Sequence, residues 1–553
     1  MANTGKVQKM QENPSLPSAT TGAMATLALL DQPAPAEAEI SQKPPVRPSF
    51  PERTLDPKPW GELRIQAHRM LDDMLDYTEQ IGQQPVWQKI PQEARDRFRQ
   101  PLPMQPTPLE QVHEEFLRFI LPYTARNGHP GFMGWVQGGG TTVGALAEML
   151  AAWLNANLGG RDQIPVEVER QITAWMRMVF GFPAGASGLF VTGSSMANFV
   201  AVKVARDAKL GFEVRPKGLA RMAAAGRLAA YASTEVHACV TRAMDMAGLG
   251  SDALRLIGSD HRHRMDLQAL TAQVARDRSQ GLIPFLVVGT AGAVDTGAID
   301  DLNGVADLCA REQMWFHIDG AFGALAMLCP ELAGRLRGIE RADSLAFDFH
   351  KWAQVPYDAG FLLVRDAAMQ QAAFASSAAY LGREERGIAA GSPWPCDLGP
   401  DLSRSFRALK VWTTLKVYGT QALGEVVGHT CRLARYLESR VNGMAELEMM
   451  APVELNIACF RFRGAWRMED ASPDLDGDAP QDEEWLDFLN RQIVIAVQEK
   501  GEVAPSATRI RGRVVIRAAI VNHRTTQAQI DILLKSVLEA GGRLTRRAIE
   551  RTS

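Results

Sequence analysis

Ser344-Leu345-Ala346-Phe347-Asp348-Phe349-His350-Lys351-Trp352 is the stretch on which the reading of this chain turns. An apolar run ends in a histidine, a lysine and a tryptophan, and Ala359-Gly360-Phe361-Leu362-Leu363-Val364 then starts a second apolar run. A lysine held between two buried strands is costly, because an unpaired ammonium loses its hydration shell. A lone lysine in a loop ordinarily points out to water. Here Phe349 and Trp352 predict a covered loop, and the upstream strand Met314-Trp315-Phe316-His317-Ile318-Asp319 ends in a carboxylate followed by the small residues Gly320 and Ala321.

A lysine that can bond covalently to an aldehyde and a carboxylate that can face a pyridinium nitrogen are the two protein groups pyridoxal phosphate most needs. Asp348-Phe349-His350-Lys351-Trp352 preceded by His317-Ile318-Asp319-Gly320-Ala321-Phe322 resembles the pyridoxal-phosphate-dependent group II amino acid decarboxylases. That family includes aromatic-L-amino-acid, glutamate, histidine and cysteine sulfinate decarboxylases. The resemblance runs from roughly residue 110 to 540, with its motifs in family order. It implies an α/β chain of the aspartate-aminotransferase-like (type I) fold, with a mainly parallel central sheet and a small α+β C-terminal domain. It also implies pyridoxal 5'-phosphate as cofactor, and release of carbon dioxide and a primary amine from an L-amino acid.

Composition sets the outer bounds. At 553 residues, 46% apolar and 22% charged, the chain has a composition ordinary for a globular enzyme, and its length suggests two to four domains. A net charge of -3 gives no electrostatic case for nucleic acid or an anionic membrane as partner. The six cysteines are scattered without C-x-x-C spacing, so they read as reduced thiols of a cytoplasmic protein, and no metal site is expected. No apolar run reaches membrane-spanning length, and the first residues lack a signal peptide's arrangement. Residues 1–58, rich in Pro, Ala, Ser and Thr, read as a disordered tail. Residues 59–128 read as a helical segment. Leu63, Ala67, Met70, Leu71, Met74, Tyr77 and Ile81 give one apolar face, and a second helix is expected to start at Thr107-Pro108-Leu109-Glu110, read as a capping box with proline at the first helical position, with Val112, Phe116, Phe119 and Ile120 inward. The resemblance implies that this segment packs on a second subunit of a homodimer. Residues 129–415 are read as the large cofactor-binding domain and 416–553 as the small one.

Within the large domain the pattern alternates strand and helix. Gly188-Leu189-Phe190-Val191-Thr192 is read as a strand, followed by Gly193-Ser194-Ser195-Met196 and a helix. Such a small-residue turn aims free backbone N–H groups at an anion, although a plain tight turn has the same sequence. The resemblance makes Gly193, Ser194, Ser195 and Met196 the cofactor's phosphate site. It likewise stacks His237 on one face of the pyridine ring and sets Ala321 near the other. Asp319 faces the ring nitrogen, and Lys351 is the covalent anchor, flanked by Asp348 and His350. Tyr380, in a long loop, becomes the proton donor, so Lys351, Tyr380 and His237 form the expected catalytic set. Where the family commonly has a threonine pair, this chain has Ala293-Val294.

The stretch from His129 to Thr142 holds Gly138-Gly139-Gly140 but neither G-x-G-x-x-G nor a P-loop ending, so its glycines are read as allowing close backbone approach. The resemblance places it along the substrate pocket. Phe132, Trp135 and Val136 then favour an aromatic side chain, since a buried acidic one needs a cation. Arg161 and Arg404 are the two arginines weighed as such a cation. The competing activities are an aldehyde synthase, an aminotransferase, a decarboxylase of glutamate or diaminobutyrate type, and a non-catalytic cofactor-binding protein.

Overall fold

The computed structural model describes residues 54–376, 382–464 and 483–552, with side chains to residue 547. The chain divides into two units, Met1–Leu63 and Arg64–Ser553. Of the first, residues 54–63 are described, and they end in the opening residues of the helix Trp60–Glu79.

The second unit is built on two sheets. The larger is formed by β2 (Ser187–Val191), β3 (Leu228–Ser233), β4 (Leu254–Ile257), β5 (Ile283–Thr290), β6 (Trp315–Asp319), β7 (Ser344–Asp348) and β8 (Gly360–Val364). Their spatial order is β2-β8-β7-β6-β5-β3-β4. Only β8 runs against its neighbours; β7, β6, β5, β3 and β4 are parallel. Strands β3, β7 and β8 are buried along their whole length, which is why they read as near-continuous apolar runs. Helices such as Ser194–Leu210, Ala238–Met246 and Leu302–Glu312 bury apolar faces against the sheet. The parallel register sets Thr290 beside Asp319 and Asp319 beside Ala346, so the carboxyl ends of β5, β6 and β7 share one edge. Open α/β sheets bind ligands at that edge.

The smaller sheet has the order β1-β11-β12-β10-β9, from β1 (Phe132–Met133), β9 (Leu447–Met449), β10 (Ile457–Phe462), β11 (Ala504–Ile510) and β12 (Arg513–Ala519). β1 lies parallel to β11, so the 129–142 stretch is tied into the C-terminal sheet. Periodicity does not show β1, β9 or β11: two are very short, and β11 (Ala-Pro-Ser-Ala-Thr-Arg-Ile) is mostly polar or small.

Two expectations near the start of this unit are corrected. The second helix begins at Leu109 with Pro108 in the capping position and no side-chain cap, so Thr107 forms no capping box. Its Val112 and the following Ile120 are exposed, and the inward residue is His113, which meets Gln66 Nε2 at 3.1 Å and Asp73 at 3.4 Å. The apolar face of the helix Trp60–Glu79 holds no buried residue.

Candidate active site

Each predicted group reaches the sheet edge for a local reason. β7 ends at Asp348, and the chain turns through Phe349–Trp352 before re-entering as β8. Trp352 is fully buried, its Nε1 donating to Thr430 Oγ1 at 3.0 Å, and Phe349 packs on Phe347 and Phe361. These anchors fix Lys351 between them. The triple glycine closes over the same turn. Gly138 N donates to His350 O at 3.2 Å, and a Cβ on Gly138 would lie 2.4 Å from Lys351 O. A Cβ on Gly360, the first residue of β8, would come 2.3 Å from Gly193 Cα, so the phosphate-turn candidate and the strand that follows the lysine turn touch backbone to backbone.

A cavity of about 390 Å³ opens here. It brings together Lys351, Asp319, Ala321, His237, Gly193, Ser194, Ser195, Asp348, His350, Trp135 and Val136. Met196 and Phe132 do not line it. Met196 N donates to Gly193 O within the turn, and its side chain packs on the core behind. Phe132 lies on β1, whose alternation sends it to a small cluster with Val86 and Ala504. Tyr380 lies outside the described residues. Arg404 is buried elsewhere on Glu169, and Arg161 stacks on Trp394 at 4.7 Å.

Lys351 Nζ sits 2.8 Å from Asp348 Oδ2, and Asp348 Oδ1 accepts from Ser194 N at 2.7 Å. Burial pulls the Lys351 ammonium down, but the charge and hydrogen bond of Asp348, helped by Asp319, outweigh it and hold the lysine above its ordinary value. His350 is pushed down by burial, and its Nδ1 accepts from Ala359 N at 3.0 Å, so it stays a neutral ring against Tyr357. His237 caps the helix Ala238–Met246, its Nδ1 accepting from Cys239 N at 3.2 Å, with the ring exposed to the cavity. Asp319 is buried. It accepts from Ala321 N at 3.1 Å and from Asn198 Nδ2 at 3.0 Å, while burial, with the Asp319 charge beside it, pushes the Cys239 thiol up to about 12.

Sequence reasoning missed several lining groups, among them Arg517, Thr290 and Tyr357. Arg517 enters from β12, buried, donating to the carbonyls of Val294 and Gly134 and to Ser506 Oγ. A lone arginine inside the apolar run Val514-Val515-Ile516-Arg517-Ala518-Ala519 was the available signal. Thr290 sits at the end of β5 and lines the cavity, and its Oγ1 is buried without a partner among the described residues. Tyr357 also lines the cavity; it is 48% exposed, and partial burial with the Asp348 charge pushes its phenol up.

A half-buried lysine, a buried carboxylate and a strand-to-helix turn on one sheet edge define a type I pyridoxal-phosphate site on an α/β fold. Residues 91–463 match the pyridoxal-dependent decarboxylase conserved domain, and the chain belongs to that family. It is a pyridoxal-phosphate-dependent carboxy-lyase acting on an amino acid. It is 31% identical to an aromatic-L-amino-acid decarboxylase of Bacillus atrophaeus over 86% of this chain and 94% of that one. To tyrosine decarboxylase 2 of Narcissus pseudonarcissus it is 29% identical, over 85% and 92%. Among solved structures, Oryza sativa TDC with PLP and tryptamine superposes with a TM-score of 0.79 at 24% identity, covering 89% of this chain and all of that one. Mouse CSAD gives 0.78 at 26%, over 88% and 99%.

The cavity fits that cofactor. Besides Thr290 Oγ1, Ser194 Oγ is buried without a partner among the described residues, at the amino end of a helix whose dipole favours an anion. Gly193 keeps the turn open, with only His350 and Asp348 near the place of a Cβ, at 3.6 and 3.9 Å.

Proposed function

We propose that this enzyme is an L-amino acid decarboxylase whose substrate carries an aromatic side chain, and that it works as a cytoplasmic homodimer. The observation carrying the substrate reading is the wall of the cavity. Trp135, Val136, Val294 and Phe322 are apolar, and Arg517 is the one arginine among the described lining residues. An aromatic ring gains from such walls without needing a counter-charge. The names of the curated relatives, chiefly aromatic-L-amino-acid, tyrosine and tryptophan decarboxylases, support the same class.

In this reading Lys351 would hold the cofactor covalently through its aldehyde. Ser194, Ser195 and the Gly193 turn take the phosphate. Thr290 supplies a hydroxyl on the side where Ala293-Val294 cannot. Asp319 would hold a proton on the ring nitrogen, with His237 over one face of the ring and Ala321 leaving room at the other. Bound pyridoxal phosphate supplies the sink for the electron pair released when the bond to the carboxylate breaks. Arg517 orients that carboxylate, and Tyr380 returns a proton to the α-carbon. The dimer is supported by the exposed apolar face of the helix Thr142–Leu154, where Trp153 and Leu154 are 72% and 62% exposed. A boundary near residues 415/416 is supported by the break at Gly419 (φ 73°) inside the helix Arg407–Asn442.

Arg517 also favours a second reading, in which it pairs with the side-chain carboxylate of an acidic substrate. A competition assay decides: tryptophan, tyrosine, phenylalanine, glutamate, aspartate and 2,4-diaminobutyrate at equal concentration, with amine, aldehyde and peroxide quantified. Aromatic amine as the dominant product supports the reading. A tenfold preference in kcat/KM for an acidic or diamino substrate, about 1.4 kcal/mol, overturns the aromatic assignment. Aldehyde with peroxide as the main product would make the enzyme an aldehyde synthase.

A further inference from the structure

Behind Asp319 the buried polar groups form an unbroken chain away from the cavity. Asn198 Nδ2 lies 3.0 Å from Asp319 Oδ2, and Asn198 Oδ1 lies 2.7 Å from His317 Nε2. His317 Nδ1 lies 2.8 Å from Ser344 Oγ, which is 2.8 Å from Trp315 Nε1. Asn198, His317 and Ser344 are wholly inaccessible to solvent.

The direction of every bond follows from the two ends. A carboxylate only accepts, so Asn198 must donate its amide N–H to Asp319 and present its oxygen to His317. His317 must then carry its proton on Nε2, leaving Nδ1 bare. Nδ1 accepts from the Ser344 hydroxyl, whose oxygen accepts from the indole N–H of Trp315. With a neutral ring, each donor meets an acceptor once. Burial, which pushes His317 down to about 3, agrees with a neutral ring.

We propose that His317 and Asn198, oriented by Ser344, are positioning residues that lock the Asp319 carboxylate in the one orientation that serves the pyridine nitrogen. Sequence spacing brings them together. His317 and Asp319 alternate on one face of β6, and Asn198 sits one helical turn beyond Ser194, so a single asparagine links the turn read as the phosphate site to the carboxylate. Removing the Ser344 hydroxyl frees His317 to move its proton to Nδ1. Nε2 then opposes Asn198 Oδ1, the amide turns over, and its oxygen faces the Asp319 carboxylate. Loss of Trp315 N–H leaves the Ser344 donor in place and reverses nothing.

This inference rests on the reading of Asp319 as the ring-nitrogen partner, and its test separates the two. Cofactor dissociation constants are measured for the apoprotein of wild type, Ser344→Ala, Ser344→Thr, Trp315→Phe and Asp319→Asn, with unfolding curves as a check on folding. Imidazole 15N shifts are recorded on histidine-labelled wild-type apoprotein. His317 should show the neutral Nε2–H form throughout about pH 5 to 8. Ser344→Ala and Asp319→Asn should each weaken cofactor binding by about tenfold, Ser344→Thr should restore it, and Trp315→Phe should stay within about threefold. A wild-type Nδ1–H form overturns the relay whatever the binding data show. Ser344→Ala binding like wild type while Asp319→Asn is weakened overturns the relay alone; if neither is weakened, both the relay and the reading of Asp319 fall.

Discussion

Gly138→Ala is expected to damage cofactor binding through the backbone of the Lys351 turn, without altering any side chain that contacts the cofactor in the reading above. A Cβ at this position would sit 2.4 Å from Lys351 O and 2.5 Å from His350 O. Both are backbone atoms of a turn pinned by Trp352 and Phe349, so no flexible side chain can swing aside. Ordinary contact begins near 3.4 Å, so the turn must retreat by about an ångström or the glycine strand must leave it, losing the Gly138 N to His350 O bond. Overpacking of this kind costs about 1–3 kcal/mol. If the Lys351 turn takes up the whole strain, the cofactor dissociation constant rises by about five- to over a hundredfold. The assay is titration of the apoprotein with pyridoxal phosphate, followed by its visible absorbance, beside denaturant unfolding. Gly185→Ala is the control, since nothing lies within 4 Å of its Cβ position. Wild-type affinity and stability in Gly138→Ala would refute the argument that the triple glycine exists for this close approach.

Other outcomes follow from the same geometry. Borohydride treatment of the cofactor-loaded enzyme should fix a reduced adduct that mass spectrometry places on Lys351, and an adduct on another lysine would dismantle the site. Asp319→Asn should cut turnover severely with the fold intact, because the neutral amide cannot hold a proton on the ring nitrogen; near wild-type turnover would remove that role. Asp348→Asn removes the carboxylate that keeps the Lys351 ammonium above its ordinary value. The neutral amine needed for capture then exists at lower pH, so the pH profile of cofactor-loading rate should shift downward, and an unmoved profile would show that Asp348 does not control the lysine. Below about pH 6.5 the unfolded state binds a proton that buried His317, held down to about 3, refuses, so stability should fall with falling pH across that window. His317→Gln should flatten that fall, and an unchanged slope would assign it to other groups.

The sequence by itself determined the central sheet and the partners at its edge. Strands buried on both faces leave long apolar runs, and the residues ending them, Asp319, Asp348 and the Gly193 turn, stand out because a charge or a glycine interrupts hydrophobic continuity. Short range chemistry of this kind is written locally. Tertiary structure alone decided which residues cross to the site from elsewhere. Arg517 arrives from the C-terminal sheet, and Asn198 joins Asp319 across 121 positions of chain. It also decided that Phe132 turns away, because the pairing of β1 with β11 sets its side, and a strand of two residues carries too little pattern to announce its register. Arg404, a candidate from sequence, is consumed by Glu169 for the same reason: a buried cation goes to whichever carboxylate the fold sets beside it, and distance along the chain says nothing about which one that is.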